Sequence, residues 1–532
     1  MVDSCKVQGI EQMLLKIVSV LKPTMDAGEY KDYILGLLFY KYLSDKFLIN
    51  VCQLCTGDIP QNMIEAQKIY EGISEKAGLY EKVGQTIGYD ISPNFTYTKL
   101  IEDIQVGRFH YRELQNAFTE VMQSAPIMEN IFCCVDLDSP RLGTGEKKRN
   151  ETIMELLERI NVTGCAIRDI RDIYDSFIDI VSSLNRKKGG PFFTPKFVSD
   201  LVAQIVMDGK ADMEGLSVYD PVMGTGSLML ALRKLSNKSN QIRYYGQEIS
   251  ISIYNIARMN MLLHCVAPEN QYMHNANTLD ADWPTYGKTA FQVVVMDPPF
   301  NQNWSAAEVF ADDPRFQGYG ELPPKSKADF AFLLHGYHHL AEDGTMAIIL
   351  LHGVLFRGSK EAIIRRNLLE KGAIYAVIGL PANIFYGTTL PGVILVLKKP
   401  GMNRKGRDVL FIDAAHEFEH STRKNMLNVQ QIANIMKLYR DRKSVAKWAY
   451  LANYEEIERN EFNLSISSYV DTFIPEPTIG FHELSKRIEQ TDEELKATKK
   501  ALCASLHKLI KDDGEAEQAL AKIVKTIDTG EG

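Results

Sequence analysis

The sequence predicts an α/β protein in which a mostly parallel β-sheet, covered by helices on both faces, is preceded by an all-helical domain and followed by one long helix. Three observations predict it. From Ile10 to about Val135 apolar residues recur at three and four, as in Ile10, Met13-Leu14, Ile17-Val18 and Leu21, which is the period of amphipathic helices. Beyond Gly190 the texture changes to short β-branched runs separated by helical patterns, the signature of strands joined by helical crossovers. After about Asp471, the residues Leu484, Ile488, Thr491, Leu495, Thr498 and Leu502 step by four and three, a coiled-coil-like seam.

Each element follows in order. A chain of 532 residues, 45% of them hydrophobic, fills more than one core. In the helical domain, residues 1–148, Pro23 separates the first helix from the run through Tyr33-Ile34, Leu37-Leu38, Tyr42 and Leu48, because proline cannot continue a helix interior. The stretch Ser139 to Arg149, rich in Pro, Gly and charge, reads as an exposed linker. The α/β domain, residues 149–470, opens with helical patterning through Leu157 to Leu184 and a basic loop, Asn185-Arg186-Lys187-Lys188-Gly189-Gly190. Strands are expected at Ser217–Tyr219, Arg243–Tyr245, Gln292–Val295, Met346–Leu350 and Ala373–Ile378, with Val393–Leu397 as an antiparallel addition at the sheet edge. Phe473-Ile474-Pro475-Glu476-Pro477 then interrupts the fold, and residues 471–532 are expected to form a helical segment that either folds back on its own chain or packs on a partner's helix, the second favoured because no further core follows.

Composition excludes several classes. There is no run of 18 apolar residues, and Met1-Val2-Asp3-Ser4-Cys5-Lys6 lacks the basic-then-apolar order of a secretory signal. A cytoplasmic protein without membrane attachment is expected. Eight cysteines in so long a chain do not make a disulfide framework. Cys52-Gln53-Leu54-Cys55 has no second pair to complete a zinc site, so it and Cys133-Cys134 read as packing thiols, and no metal is expected. The formal net charge of −8 is opposite to that of most stand-alone nucleic-acid binders. Affinity for DNA would have to be local, or borrowed from a partner.

Two constellations carry chemistry. In Val218-Tyr219-Asp220-Pro221-Val222-Met223-Gly224-Thr225-Gly226-Ser227-Leu228 a strand passes through a glycine turn into a helix, the place where nucleotide-like cofactors bind a doubly wound sheet. A G-x-G alone is also compatible with a plain turn. About twenty residues on, Arg243-Tyr244-Tyr245-Gly246-Gln247 ends at Glu248, where a ribose diol would find an acceptor. No Lys-Ser/Thr follows the glycines, so a phosphate cradle is disfavoured and an adenosine cofactor without phosphates fits better. In the second constellation, the strand Phe291-Gln292-Val293-Val294-Val295-Met296 runs into Asp297-Pro298-Pro299-Phe300. Paired prolines stop the ladder and fix the backbone, which suits presentation of a side-chain oxygen and a carbonyl beside a planar ring.

Asp297-Pro298-Pro299-Phe300 resembles the (Asn/Asp/Ser)-Pro-Pro-(Tyr/Phe) signature of methyltransferases acting on exocyclic amines of DNA, and the glycine loop resembles their cofactor motif. Upstream, Gly190-Pro191-Phe192-Phe193-Thr194-Pro195-Lys196 looks like their Phe-Thr-Pro cofactor motif. That order is similar to the modification subunits of type I restriction-modification systems, as are Met25 to Leu43, Asp343 to Ala347, His352 to Gly358 and Leu380 to Thr388. The resemblance runs from about residue 10 to 470. It departs at one point, since the type I family normally carries asparagine where this chain has Asp297; other adenine methyltransferases use aspartate there.

The resemblance implies a Rossmann-like sheet dependent on S-adenosylmethionine, transferring a methyl group to the 6-amino group of adenine in DNA. It implies cofactor contacts from Pro191, Phe192, Phe193, Thr194, Pro195, Lys196, Asp220, Pro221, Gly224, Thr225, Gly226, Ser227 and Glu248, with Asn277 near the cofactor's adenine. Asp297, Pro298, Pro299 and Phe300 would form the catalytic motif, and Phe300, Phe385 and Tyr386 would stack on a base flipped from the duplex. Implied partners are double-stranded DNA, a specificity subunit carrying two copies of this chain, and a restriction motor-nuclease. Two other readings remain: methylation of a glutamine amide in a protein, and a cofactor-binding structural subunit without catalysis.

Overall fold

The computed structural model describes residues 4–74, 86–161, 167–184, 194–280, 282–285, 287–385, 388–400, 406–420, 424–472, 480–509 and 522–523. They divide into two units, Met1–Thr472 and Phe473–Gly532.

The helical part contains α1 (Ser4–Leu21), α2 (Ala27–Thr56), α3 (Met63–Ser74), α4 (Tyr97–Gln105), α5 (Tyr111–Ser124), α6 (Glu146–Ile160) and α7 (Ile167–Leu184). As expected, α1 stops before Pro23. Helix α2 starts at a capping box, in which the Asp26 side chain and Glu29 satisfy each other's backbone N–H groups, and it ends on Gly57 in the left-handed region (φ 81°). It is buried almost all round, so it is the central rod of the bundle. The packing change does not fall at residue 148. Val181, Phe177 and Tyr174 of α7 belong to the same core as Leu14 of α1 and Leu38 of α2, and so do Ile253, Ile256, Met259 and Leu263 from further along the chain. The Pro/Gly-rich stretch before α6 is a surface turn whose Leu142 reaches that core; turn chemistry marks a reversal of the chain without saying which side each flanking helix packs on.

The sheet strands are β1 (Ser217–Asp220), β2 (Arg243–Gln247), β3 (Gln271–His274), β4 (Phe291–Met296), β5 (Leu340–Leu351), β6 (Ile374–Gly379), β7 (Gly392–Lys398) and β8 (Val409–Asp413). A two-strand ribbon, β9 (Glu419–His420) with β10 (Asn425–Met426), and the last sheet strand, β11 (Ala449–Ala452), follow. The nine-stranded sheet has the order β11-β8-β6-β7-β5-β4-β1-β2-β3. The run β5-β4-β1-β2-β3 is parallel. Strand β7 is antiparallel to its neighbours, as expected, but it is an interior strand between β5 and β6, not an edge. Its Gly-Val-Ile-Leu-Val-Leu is buried on both faces, and only a strand with layers above and below is apolar without alternation. Strand β11 supplies the antiparallel edge.

Helices cover both faces: α8 (Lys196–Met207), α9 (Ser227–Arg233), α10 (Ile251–Leu263), α11 (Asp329–His338), α12 (Ser359–Glu370) and α13 (Val429–Asp441), with α14 (Tyr454–Arg459) near the end. Successive residues of β4 serve opposite cores, Val293 and Val295 with α8 on one face, Phe291, Val294 and Met296 with α11 on the other. In the second unit α15 (Phe481–Leu509) contains the whole expected seam, and its Leu484, Ile488, Leu495 and Leu502 are exposed. Among the described residues no helix is long and apolar enough to cross a membrane.

The interior position of β7 has a measurable consequence. Ile394 is fully buried between two neighbouring strands, so Ile394→Ala should cost about 2–5 kcal/mol, read as an earlier chemical-denaturation midpoint. A loss of a few tenths would place β7 at a solvated edge.

Candidate active site

A cavity opens at the carboxyl ends of β1 and β4, lined by Thr194, Asp220, Val222, Met223, Gly224, Thr225, Ser227, Leu228 and Asp297. Parallel pairing explains the convergence. Tyr219 of β1 sits opposite Val294 of β4, so both strands end at the same edge and release Asp220 and Asp297 beside each other. After Asp220 the chain turns through Gly224 (φ 52°) and Gly226 (φ 75°), left-handed conformations that favour glycine, and Gly226 leads directly into α9. The turn is held by Val222 N–H donating to Asp220 Oδ1 at 3.0 Å, by Asn260 Nδ2 donating to the Thr225 carbonyl at 2.9 Å, and by a 2.9 Å contact between the Thr225 and Ser227 hydroxyls.

Three carboxyl groups gather here. Burial pushes Asp220 well above the usual carboxylate range, the Val222 N–H opposes the shift, and the neighbouring charges of Asp297 and Glu248 add to it. Burial pushes Asp297 up to about 7, although the Thr194 hydroxyl, donating to Oδ2 at 2.6 Å, pulls it down. Glu248 is raised by burial, against hydrogen bonds from the backbone N–H groups of Ser250, Gly224 and Ile249. Glycine turn and acidic strand end are thus joined through Gly224.

Of the residues the sequence singled out, the structure brings Thr194, Asp220, Gly224, Thr225, Ser227 and Asp297 into one cavity. Pro221 and Gly226 shape its turn, and Pro195 and Lys196 start α8. Pro191, Phe192, Phe193 and Tyr386 lie outside the described residues. Asn277 does not line the cavity: its side chain donates to Asp280 at 2.7 Å and accepts from Leu279 N–H at 3.2 Å, so it builds the local turn, as asparagine does after a strand. Phe385 is 4% exposed and packs against Gly392; its ring serves the core and is not available as a stacking face. Phe300 is half-buried and stands edge-on to Phe385 at 5.8 Å.

Sequence reasoning missed a buried polar node on the other side of β1. Tyr219 Oη lies 2.9 Å from Gln247 Oε1, 2.7 Å from the Trp283 carbonyl and 2.7 Å from His335 Nε2. Arg315, 1% exposed, pairs with Asp313 at 2.6 Å, donates to the Thr278 carbonyl at 2.9 Å and reaches His335 Nδ1 at 3.2 Å. Thr278 in turn donates to the Pro221 carbonyl. Burial, His339 and Arg315 hold His335 well below the usual imidazole range, so it is neutral, accepting from Arg315 at Nδ1 and donating from Nε2 to Tyr219. Asp282, His335 and His339 also bring ligand-type atoms within 4.8 Å of one another, but the guanidinium occupies the His335 nitrogen a cation would need. No short motif announces such a node, because its members come from five separate segments.

A glycine turn at the carboxyl end of the first strand, an acidic second-strand end and a rigid Asp-Pro-Pro-Phe after the fourth strand define a Rossmann-like methyltransferase. The residues fit S-adenosylmethionine: left-handed glycines permit close backbone approach, Glu248 stands at the end of β2, and buried carboxyl groups complement a cationic, phosphate-free ligand. Residues 166–476 match the N-6 DNA methylase family, and residues 10–160 match the HsdM N-terminal domain. The chain belongs to the N-6 DNA methylase family. It is 43% identical to the type I restriction-modification system methyltransferase subunit of Streptococcus thermophilus, whose crystal structure superposes with a TM-score of 0.83 over 87% of this chain and 100% of that one. It is 29% identical to the type I restriction enzyme MpnII methylase subunit of Mycoplasma pneumoniae, over 91% of this chain and 93% of the relative. The type I restriction enzyme MjaIX methylase subunit of Methanocaldococcus jannaschii is 24% identical over 91% and 88%.

The raised Asp297 gives a stability prediction. Its folded state holds a proton up to about pH 7, whereas an unfolded aspartate releases it near pH 3.9. The folded form therefore binds more protons between these values, and this group's contribution falls as pH rises through that window. Asp297→Asn should raise the melting temperature of the cofactor-free protein above pH 7, with the gain fading toward pH 4. A gain independent of pH would point to packing instead.

Proposed function

We propose that this chain transfers a methyl group from S-adenosylmethionine to the 6-amino group of adenine in DNA, as the modification subunit of a type I restriction-modification system, and that Asp297 and the Pro298 carbonyl grip the amine. The observation that carries the mechanism is the convergence of Asp297 with the glycine turn in one cavity. When bound, S-adenosylmethionine supplies a methyl group on a positively charged sulfur. Asp220, Gly224, Thr225, Ser227 and Glu248 would hold the cofactor.

The adenine amine is a weak nucleophile because its lone pair is delocalised into the ring. One Asp297 oxygen and the Pro298 carbonyl each accept an amine hydrogen, which turns the lone pair out of the ring plane toward the methyl carbon. With the cofactor supplying the methyl group and its sulfur keeping the bonding electron pair, the proton shed by the methylated nitrogen would pass to the Asp297 carboxylate, a role that asparagine could not fill. Positioning and fixed dipoles supply most of the rate. Phe300, half-buried beside Phe385, is the residue that would stack on the flipped base, a contact of about 1–3 kcal/mol. Because the chain is acidic overall, sequence recognition and much of the DNA affinity come from a specificity subunit bound by two copies of this chain, and restriction from a separate motor-nuclease. Residues 471–532 form the docking segment; the exposed apolar residues of α15 support this.

Radiolabelled methyl transfer tests the reading. With a reconstituted specificity subunit, label should enter DNA adenine, and Asp297→Ala should lower kcat about 10²–10³-fold, as removal of a transition-state contact does. Label entering protein would favour glutamine methylation; cofactor binding without transfer would favour the structural subunit. Truncation after Pro477 should abolish co-purification with the specificity subunit and leave cofactor affinity intact; an undiminished complex refutes the docking role.

A further inference from the structure

The catalytic reading leaves one question about Asp297: which of its two oxygens faces the amine, and what keeps it there. Its carboxylate is contacted from a distant part of the chain. Thr194 Oγ1 donates to Oδ2 at 2.6 Å, and the two residues are 103 positions apart. Thr194 lies two residues before α8, and α8 is buried through Val198, Leu201, Val202, Ile205 and Val206. These side chains share a core with Val293 and Val295 of β4, the strand that delivers Asp297. Donor and acceptor therefore adjoin two elements packed directly together, Thr194 just before the start of α8 and Asp297 just after the end of β4.

A threonine hydroxyl has one proton to give. Spent on Oδ2, it takes one of that oxygen's two acceptor sites and fixes the plane of the carboxylate, leaving Oδ1 turned away from Thr194 as the oxygen with its full accepting capacity. On that basis, and resting on the proposed role of Asp297, we propose that Thr194 is a positioning residue for the methyl acceptor: it locks the Asp297 carboxylate in one orientation so that Oδ1 takes the amine hydrogen. The same bond stabilises the ionised carboxylate, the form needed to accept the amine hydrogen and then to take it as a proton. Burial opposes ionisation of Asp297; the nearby carboxyl of Asp220, at the end of β1, is itself raised by burial and by the charges of Asp297 and Glu248, and Lys196 of α8 interacts with Asp179 of α7. The Thr194 hydroxyl is thus the contact that favours the anion.

The test uses the reconstituted complex with Thr194→Val, Thr194→Ser and Asp297→Ala. Valine keeps the shape and removes the donor; serine restores it. Thr194→Val should lower kcat about ten- to hundredfold, the scale of a lost hydrogen bond to a charged group, and shift the acidic limb of the kcat–pH profile to higher pH. Thr194→Ser should recover both. In the Asp297→Ala background, Thr194→Val should cause no further loss of kcat. Cofactor affinity, measured by calorimetry, separates this from a cofactor contact: a Thr194→Val variant with weakened affinity, unchanged kcat and an unshifted profile overturns the proposal. If Asp297→Ala itself retains kcat, the catalytic reading of Asp297 fails; if it is inactive while Thr194→Val keeps the wild-type profile, only the positioning role fails.

Discussion

The parallel pairing of β1 with β4 is the constraint on which the rest depends. Two strands that are far apart in the chain lie side by side with Val218 opposite Val293 and Tyr219 opposite Val294. A register shifted by one residue would exchange every side chain between the two cores. It would expel Phe291, Val294 and Met296 from the layer beneath α11 and drive Val293 and Val295 away from α8. Hydrophobic burial on both faces therefore fixes the register, and the register fixes the distance between two acidic residues that have no attraction for each other. The cavity is a by-product of packing that neither carboxyl group could have organised alone.

Bringing carboxyl groups together in a half-buried place is unfavourable unless something compensates, and the structure places the compensation underneath. The node around Tyr219 ties the residue immediately before Asp220 to Gln247, the residue before Glu248. Through Arg315 and Thr278 it also ties the segment after Asp-Pro-Pro-Phe to the Pro221 carbonyl of the glycine turn. A buried guanidinium with one matched carboxylate and several neutral acceptors is costly to break and directional in what it holds. The loops on either side of the cavity cannot drift apart without taking from the buried guanidinium the Thr278 carbonyl that it shares with the turn.

The helical part reaches the same site from outside. Lys31 of α2 donates to the Gly28 carbonyl at 2.9 Å, to Asp32 at 2.9 Å and to Ser252 at 2.6 Å, and Ser252 also donates to Asp32 at 2.6 Å. Ser252 opens α10, four residues after Glu248. Arg258 of the same helix is clamped by the carbonyls of Ile127 and Glu129. Helix α10 is thus shared, with one face in the helical core and its first turn leading out of the acidic strand end. This is why the core of the helical part extends past the Pro/Gly-rich turn at residues 139–149 and takes in four side chains of α10.

What could be read from the sequence follows from how local each signal is. Strands β1, β2, β4, β5 and β6 were legible because a buried parallel strand is a short apolar run and little else resembles it among amphipathic helices. The glycine turn and Asp-Pro-Pro-Phe were legible because backbone geometry dictates residue type at those points. Strand β7 was legible as antiparallel, but its placement between β5 and β6 was not, since order in a sheet is decided by contacts between distant segments. The same limit hid Thr194 on Asp297 and Arg315 beneath Tyr219, both partnerships that join separate segments of the chain. Asn277 and Phe385 show the converse: residue types suited to a ligand, asparagine and phenylalanine, are equally suited to a turn and a core, and only the neighbours decide. Asp297 itself stands between the two cases. Its type and position are visible in four consecutive residues, yet its proton affinity is set by burial and by a hydroxyl more than a hundred residues away, so whether it acts as a carboxylate or a carboxylic acid is a property of the fold and not of the motif.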